Sequence, residues 1–148
     1  YLRWQDKDTL LTDAVGTASN ELGAVDTGSL RGDLCELAGN IFRYFREPAG
    51  WATLRITIDT AGASEALGAF STAVIDVQVE HVDQIVHRAI ERGEAPAGTD
   101  PNALAQCLYG AVTMQTLGVR LGNITLTDEE VDERSGALVD LVLGGVLG

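Results

Sequence analysis

The chain has 148 residues, 45% of them hydrophobic, which makes one domain of ordinary size with enough apolar surface to bury a core. Ten basic residues against 22 acidic ones give a net charge of −12. Such a surface as a whole repels a phosphate backbone, so any nucleic-acid contact is confined to a local patch or to chain beyond this sequence. No run is long and apolar enough to cross a membrane, and no charged-then-apolar leader opens the sequence; the expectation is a soluble, cytoplasmic protein with no membrane partner. Cys35 and Cys107 lie among apolar neighbours in helical patterns. They are expected to be buried free thiols, and two cysteines are too few for a cysteine-rich zinc site.

In chain order, residues 1–5 read as the tail of a preceding element, because Tyr1-Leu2-Arg3-Trp4 is aromatic and basic and runs straight into a helix start. Asp6 supplies an N-cap there, Asp8 adds negative charge to the first turn, and Leu10, Leu11 and Val15 begin an apolar face. The chain is therefore expected to be a fragment whose folded domain is 6–148, with a first helix over 7–22 stopped by Gly23. The turn Asp26-Thr27-Gly28-Ser29 supplies a second N-cap at Ser29 for a helix over 30–46, with Leu34, Leu37, Ala38, Ile41, Phe42 and Phe45 at helical spacing. Pro48 ends that helix or begins the next, over 49–61, which carries Trp51, Leu54 and Ile58; Thr57 and Thr60 make it the weakest helix in the pattern.

The stretch 64–92 runs 24 residues without glycine after Gly68, long enough for a helix on the order of 40 Å. Phe70, Val74, Val77, His81 and Ile85 fall on one stripe and Ile75, Val79, Val82 and Val86 on its neighbour. So wide an apolar circumference predicts packing on more than one side, which marks this helix as the spine of the bundle. Gly93 suits its left-handed C′ position. Asp100-Pro101 then starts a fifth helix to Leu121, ended by Gly122 and Asn123, and the capping box Thr127 to Glu130 starts a sixth to Val146.

The last two helices have more apolar face than one layer can cover. The fifth shows Leu104, Leu108 and Val112 on one side, and Ala103, Cys107, Gly110, Met114, Leu117 and Leu121 on the other. The sixth carries Leu138, Val139, Leu141, Val142 and Leu143. A two-fold homodimer built from this helix pair is the expected remedy, with Leu104, Leu108, Val112, Leu138 and Val142 at the interface; the alternative is that these faces pack inside one subunit.

The stretch Tyr1-Leu2-Arg3-Trp4-Gln5-Asp6-Lys7-Asp8-Thr9-Leu10-Leu11 resembles the junction between head and body in tetracycline-repressor-like (TetR family) regulators. There the recognition helix ends in Tyr-x-x-aromatic and a cap residue, Lys and an acid start the connecting helix. Asp26 to Leu34, Arg92-Gly93-Glu94 and Asp100-Pro101 resemble one C-terminal subgroup common in actinobacterial members, and the resemblance spans essentially the whole chain. It implies an all-α, six-helix regulatory domain that dimerises through a four-helix bundle of the last two long helices, with the DNA-binding head absent apart from its last turn. It further implies a small molecule bound among the middle helices, whose arrival swings the connecting helix and releases operator DNA. Tyr1 and Lys7 match positions that touch phosphate in relatives; Lys7 stands at a helix N-terminus, where free amides also suit an anion, and the alternative for both is a solvent-facing residue.

A pocket for such an effector needs apolar walls and a few placed polar groups. Phe42, Phe45, Trp51, Phe70, Val77, Tyr109 and Met114 are candidates for the wall, with plain core as the alternative. His81 interrupts the apolar stripe of the long helix, so it needs a polar partner, which a ligand or a buried protein group would supply; Gln78 and Gln115 are weaker candidates. Asp83, His87 and Glu91, four residues apart, read as a solvated charge ladder, so no metal is assigned. Arg31-Gly32-Asp33 at a helix start is treated as a coincidental adhesion tripeptide. Carboxylate-bridged metal pairs, phosphate loops and nucleophile elbows are missing from the sequence, so neither cofactor nor enzymatic activity is expected. The expected function is a ligand-responsive transcriptional regulator, a repressor, taking a small apolar or amphiphilic effector and reaching operator DNA through the head. The alternative is a stand-alone helical small-molecule carrier or enzyme without DNA binding.

Overall fold

Side-chain caps open three of the helices in the computed structural model, which describes residues 21–61 and 65–146, without the side chains of Thr60, Ala66, Leu67, Phe70 and Val146. Residues 21–23 are helical, and the start of the helix expected over 7–22 lies outside the described residues. Five further helices follow: α1 (Leu30–Arg46), α2 (Pro48–Thr60), α3 (Glu65–Glu91), α4 (Pro101–Leu121) and α5 (Asp128–Val146). The architecture of the described residues is all-α.

Ser29 caps α1 by accepting from the Gly32 amide at 3.0 Å. Pro48 occupies the first turn of α2, where its missing N–H costs nothing. Gly93, at φ +76°, ends α3 in a Schellman arrangement, with the Glu94 amide donating to Ala89 O at 2.8 Å. The same device ends α4, but the left-handed residue there is Asn123 (φ 50°) rather than Gly122. The capping box opening α5 is reciprocal: Thr127 N donates to Glu130 at 2.7 Å and Glu130 N to Thr127 Oγ1 at 3.2 Å. No helix among the described residues is long and apolar enough to cross a membrane.

The centre of the bundle is α1, not the longer α3. Helix α1 packs against each of α2, α3, α4 and α5, and Leu34, Leu37, Ala38 and Ile41 along it are essentially without solvent exposure. Helix α3 is unequal along its length. Its second half buries Val82, Ile85, Val86 and Ala89, whereas in the first half Ile75 is half-exposed and Val77 and Val79 are only partly covered. The expected spine is thus buried mainly over its C-terminal half; of the described side chains in its first half, Ser71 and Val74 are buried.

Asp33, in the first turn of α1, is wholly buried. Its carboxylate accepts from the Thr27 amide at 2.6 Å and hydroxyl at 2.8 Å, and from Arg88 at 3.3 Å, with Arg92 3.6 Å away. Arg88 also donates to Val25 O at 2.7 Å, and Glu94 accepts from the Leu30 amide at 2.6 Å while pairing with Arg92. One cluster therefore ties the 24–29 turn, the start of α1 and the end of α3. Arg31, beside it, forms a two-pronged pair with Asp140 of α5 at 2.7 and 3.1 Å. The adhesion-like tripeptide is accounted for as fold structure.

Burial alone would favour the neutral acid, but the hydrogen bonds from Thr27 and Arg88 outweigh it and hold the Asp33 carboxyl below its ordinary range. Because its folded-state pKa is depressed, its contribution is complete above the unfolded value of about 3.9 and is lost as pH falls through the folded value. Asp33→Asn is expected to lower stability by about 3 kcal/mol, since it leaves Arg88 without its buried partner. Melting curves should show a drop of roughly 6–12 °C at neutral pH, together with loss of the acid-dependent limb below about pH 4.

Candidate functional site

Helices α1, α2, α3 and α4 and the 21–23 turn enclose a cavity of about 40 Å3 lined by Leu22, Ile41, Tyr44, Phe45, Thr53, Leu54, Thr57, Val74, Gln78, His81 and Tyr109. None of these side chains carries a formal charge at neutral pH except His81, if it were protonated. Its walls are apolar where α1 meets α3 and polar where α2 meets α3. The threonines that make α2 a weak helix by pattern lie in the polar part. Thr53 and Thr57 bond back to the carbonyls of Ala49 and Thr53 at 2.9 and 2.8 Å, and Tyr44 Oη shares a 3.1 Å hydrogen bond with Thr53. Ser71 donates to Thr57 O at 3.1 Å, joining α3 to α2.

His81 is 5% exposed, and its Nδ1 lies 3.1 Å from Tyr109 Oη. Its Nε2 has no hydrogen-bond partner among the described residues. Burial pushes the imidazole below its ordinary value, against a weaker opposing pull from Glu80, so the ring is neutral. Burial likewise pushes the Tyr109 phenol well up, keeping its proton on. Tyr109 Oη has no other hydrogen-bond partner among the described residues, and the direction of its bond to Nδ1 depends on the imidazole tautomer: where the phenol donates, the ring hydrogen is on Nε2.

Gly23 sits against this ring. A β-carbon built there would fall inside the contact radius of His81 Cδ2, Cγ and Nε2, so a residue with a side chain would force the turn and the imidazole apart.

The other expected wall residues are dispersed. Phe45 lines the cavity but also, with Phe42, a separate hollow of about 380 Å3 at the junction of α1, α4 and the 122–126 loop. Trp51 is half-buried beneath the Arg120 guanidinium, 4.0 Å above its ring, and Val77 is half-buried; neither lines the His81 cavity. The Phe70 side chain, Tyr1 and Lys7 lie outside the described residues. Met114 is a correction: at 69% exposure it faces outward from α4, away from the cavity. Gln115 is another, since it accepts from Arg134 of α5 at 3.2 Å. Pattern reasoning missed Leu22, Gly23, Ile41, Tyr44, Thr53 and Thr57. The threonine pair was the available signal, because hydroxyls spaced four apart on a half-buried helix line one face.

A second feature lies on the opposite side of α4. A groove of about 770 Å3 runs between α4 and α5, its floor Leu104, Leu138 and Val142 and its rim Ala103, Cys107 and Leu141. Leu141 is 77% exposed, and Met114 and Leu121 continue the apolar strip along α4. Cys107 is exposed, contrary to the expectation of two buried thiols, and Cys35 is partly covered. Leu108 and Val112 are also corrected: both are fully enclosed within the chain. The outward stripe of α4 is the one with Ala103, Cys107, Gly110 and Met114, because α1 and α3 claim the Leu104, Leu108 and Val112 side.

The family model described as "Tetracyclin repressor-like, C-terminal domain" matches residues 24–142. The chain is also 29% identical over 121 residues to the HTH-type transcriptional regulator AqdR of Rhodococcus erythropolis, an overlap that covers 76% of this chain and 54% of that protein. The chain thus spans about half the length of the curated relative it matches.

Because the unfolded His81 binds a proton at a higher pH than the folded one, stability is expected to fall as pH drops below about 6.5 and to stop falling once the buried ring is protonated. His81→Gln should abolish that limb while leaving the more acidic one that belongs to Asp33, a difference denaturant midpoints at pH 7 and pH 5 would reveal.

Proposed function

Since the chain belongs to the tetracycline-repressor-like C-terminal domain family, a family of transcriptional regulators, we propose that it is the effector-binding and dimerisation part of a ligand-responsive repressor. Residues 1–5 would be the end of a DNA-binding head, with Tyr1 and Lys7 meeting operator phosphate, and 6–148 the regulatory body. The observation that supports this most is the division of α4 into two faces. One carries Tyr109 into a partly enclosed cavity beside helical residues 21–23; the other leaves an apolar strip uncovered.

The occupant of the strip is a second copy of the chain. A net charge of −12 makes indiscriminate self-association costly, so pairing needs a defined apolar seam, and the exposed Leu141, Met114 and Leu121 supply one. Small residues at Ala103, Cys107 and Gly110 allow α4 to approach its counterpart closely. With that seam paired, Leu104, Leu138 and Val142 form its inner layer and Leu141 its exposed anchor. Burying the strip in a four-helix arrangement joins two bodies so that their heads lie at a fixed separation. An effector releases the operator by favouring a different separation, and it does so only as far as its affinities for the two states differ. The protein works where its operator is, in the cytoplasm, and acts by binding rather than by catalysis.

Sedimentation should find a dimer. Leu141→Glu is expected to weaken association roughly hundredfold or more, since the two-fold axis places each new charge in the seam twice. Its exposed position leaves the protomer fold intact, which circular dichroism would check. A wild-type monomer, or a dimer indifferent to Leu141→Glu and Val142→Glu, would reject the seam. The protein carrying its upstream segment should retard its own promoter DNA in a gel, and the Leu141→Glu form should not.

A further inference from the structure

Resting on the reading of the His81 cavity as the effector site, the inference concerns what chemistry the cavity takes and what must move to admit it. We propose that it binds a neutral, mainly apolar molecule bearing a hydrogen-bond-accepting oxygen, which accepts from His81 Nε2–H, and that the molecule enters by displacing the Leu22–Gly23 turn.

The polarity follows from Tyr109. In the proposed arrangement its proton lies in the 3.1 Å bond with Nδ1, so that Nε2 carries hydrogen and is a donor. This donor belongs to a side chain 95% removed from solvent, and it has no acceptor among the described residues. A buried unsatisfied donor is worth more to a ligand than a solvated one, because pairing it removes a desolvation cost already present in the folded protein. Neutrality follows from the walls. Leu22, Ile41, Phe45, Leu54 and Val74 are apolar, and Gln78 and the threonines are uncharged. An anion or a cation would be stripped of water without a counter-charge. A ketone or amide oxygen on a hydrocarbon body meets both requirements.

Size decides the second half. About 40 Å3 is well short of the roughly 150 Å3 cavity that takes benzene. An organic effector of eight or more heavy atoms therefore has to displace a wall. Helix α2 is pinned to α1 by Tyr44 and Thr53 and to α3 by Ser71 and Thr57. Helix α4 is enclosed through Leu108 and Val112. Residues 21–23 are tied to the bundle by Asn40 Nδ2 to Leu22 O at 3.2 Å, beside the local bond from Val25 N to Gly23 O at 2.8 Å, and Gly23 lies against the imidazole whose Nε2 receives the ligand. The group that recognises the ligand and the turn that yields to it are thus in contact.

The chain's two histidines, His81 and the exposed His87, make the test direct by 15N NMR of histidine-labelled protein, with His87 as internal control. The probes are acetophenone, ethylbenzene of like shape without an acceptor, and benzoate as the anion. The unliganded chain should show His81 as the Nε2–H tautomer. Acetophenone should bind about tenfold tighter than ethylbenzene, the worth of one well-made hydrogen bond, and tighter than benzoate. It should shift His81 Nε2 and the Leu22 and Gly23 amides together, and Tyr109→Phe should diminish its advantage without unfolding the chain. An Nδ1–H tautomer, or equal binding of all three with His81 unmoved, overturns the proposal while leaving the cavity as the effector site. Acetophenone binding that shifts His81 but not Leu22 or Gly23 overturns the displacement. If no probe binds in the cavity at all, the effector reading fails with it.

Discussion

The buried Asp33 carboxylate fixes the geometry on which the rest depends. A charge held entirely away from water persists only if every oxygen is met, and Thr27, Arg88 and Arg92 meet it from two separate parts of the chain. That requirement locks the start of α1 against the end of α3. With the ends locked, helical repeat alone carries Ile41 and Phe45 along α1, and His81 back along α3, to the same level of the bundle. The cavity lies where α1, α2, α3 and α4 and residue Leu22 come together.

Along the opposite edge, α1 is held to α5 by exposed pairs: Arg31 with Asp140, Arg43 with Asp132 at 2.5 Å, and Arg46 with Asp128 at 2.9 Å. Each contributes little by itself because water screens it. Their common direction matters more, since the basic edge of α1 faces an acidic edge of α5, and that sets the rotation of α5 about its axis. Leu138 and Val139 then turn inward, and Leu141 is left outward. Arg120 completes the arrangement by covering Trp51 and donating to Phe45 O at 3.2 Å, which ties the end of α4 to the end of α1.

Much of the fold was legible in the sequence because caps are local. Ser29, Pro48, Gly93, Asp100 and the Thr127–Glu130 box each act through one or two neighbouring amides, so their meaning survives without tertiary context. Burial around a helix is not local. Two apolar stripes on α4 differ little in composition, and which one faces the core depends on where α1 and α3 lie. Leu108 and Val112 were therefore placed outside and Met114 inside, the reverse of the structure. The centrality of α1 was obscured for the same reason: a 17-residue helix surrounded by four others has the same periodicity as one that packs on a single side. His81 stood out because a polar residue inside an apolar stripe is a local anomaly. Its partner Tyr109, 28 residues away, and its neighbour Gly23 could be supplied only by the fold.

The two faces of α4 explain why the site and the uncovered strip need not compromise each other. Tyr109 points to the cavity and its sequence neighbour Gly110 to the outside, so one helix about 10 Å across separates them. Core residues Leu108 and Val112, on the face of α4 turned to the chain's interior, are completely enclosed, which makes α4 a stiff divider rather than a deformable one. On the proposed reading, a ligand that moves residues 21–23 leaves α4 in place, so the uncovered strip on its far face keeps its geometry.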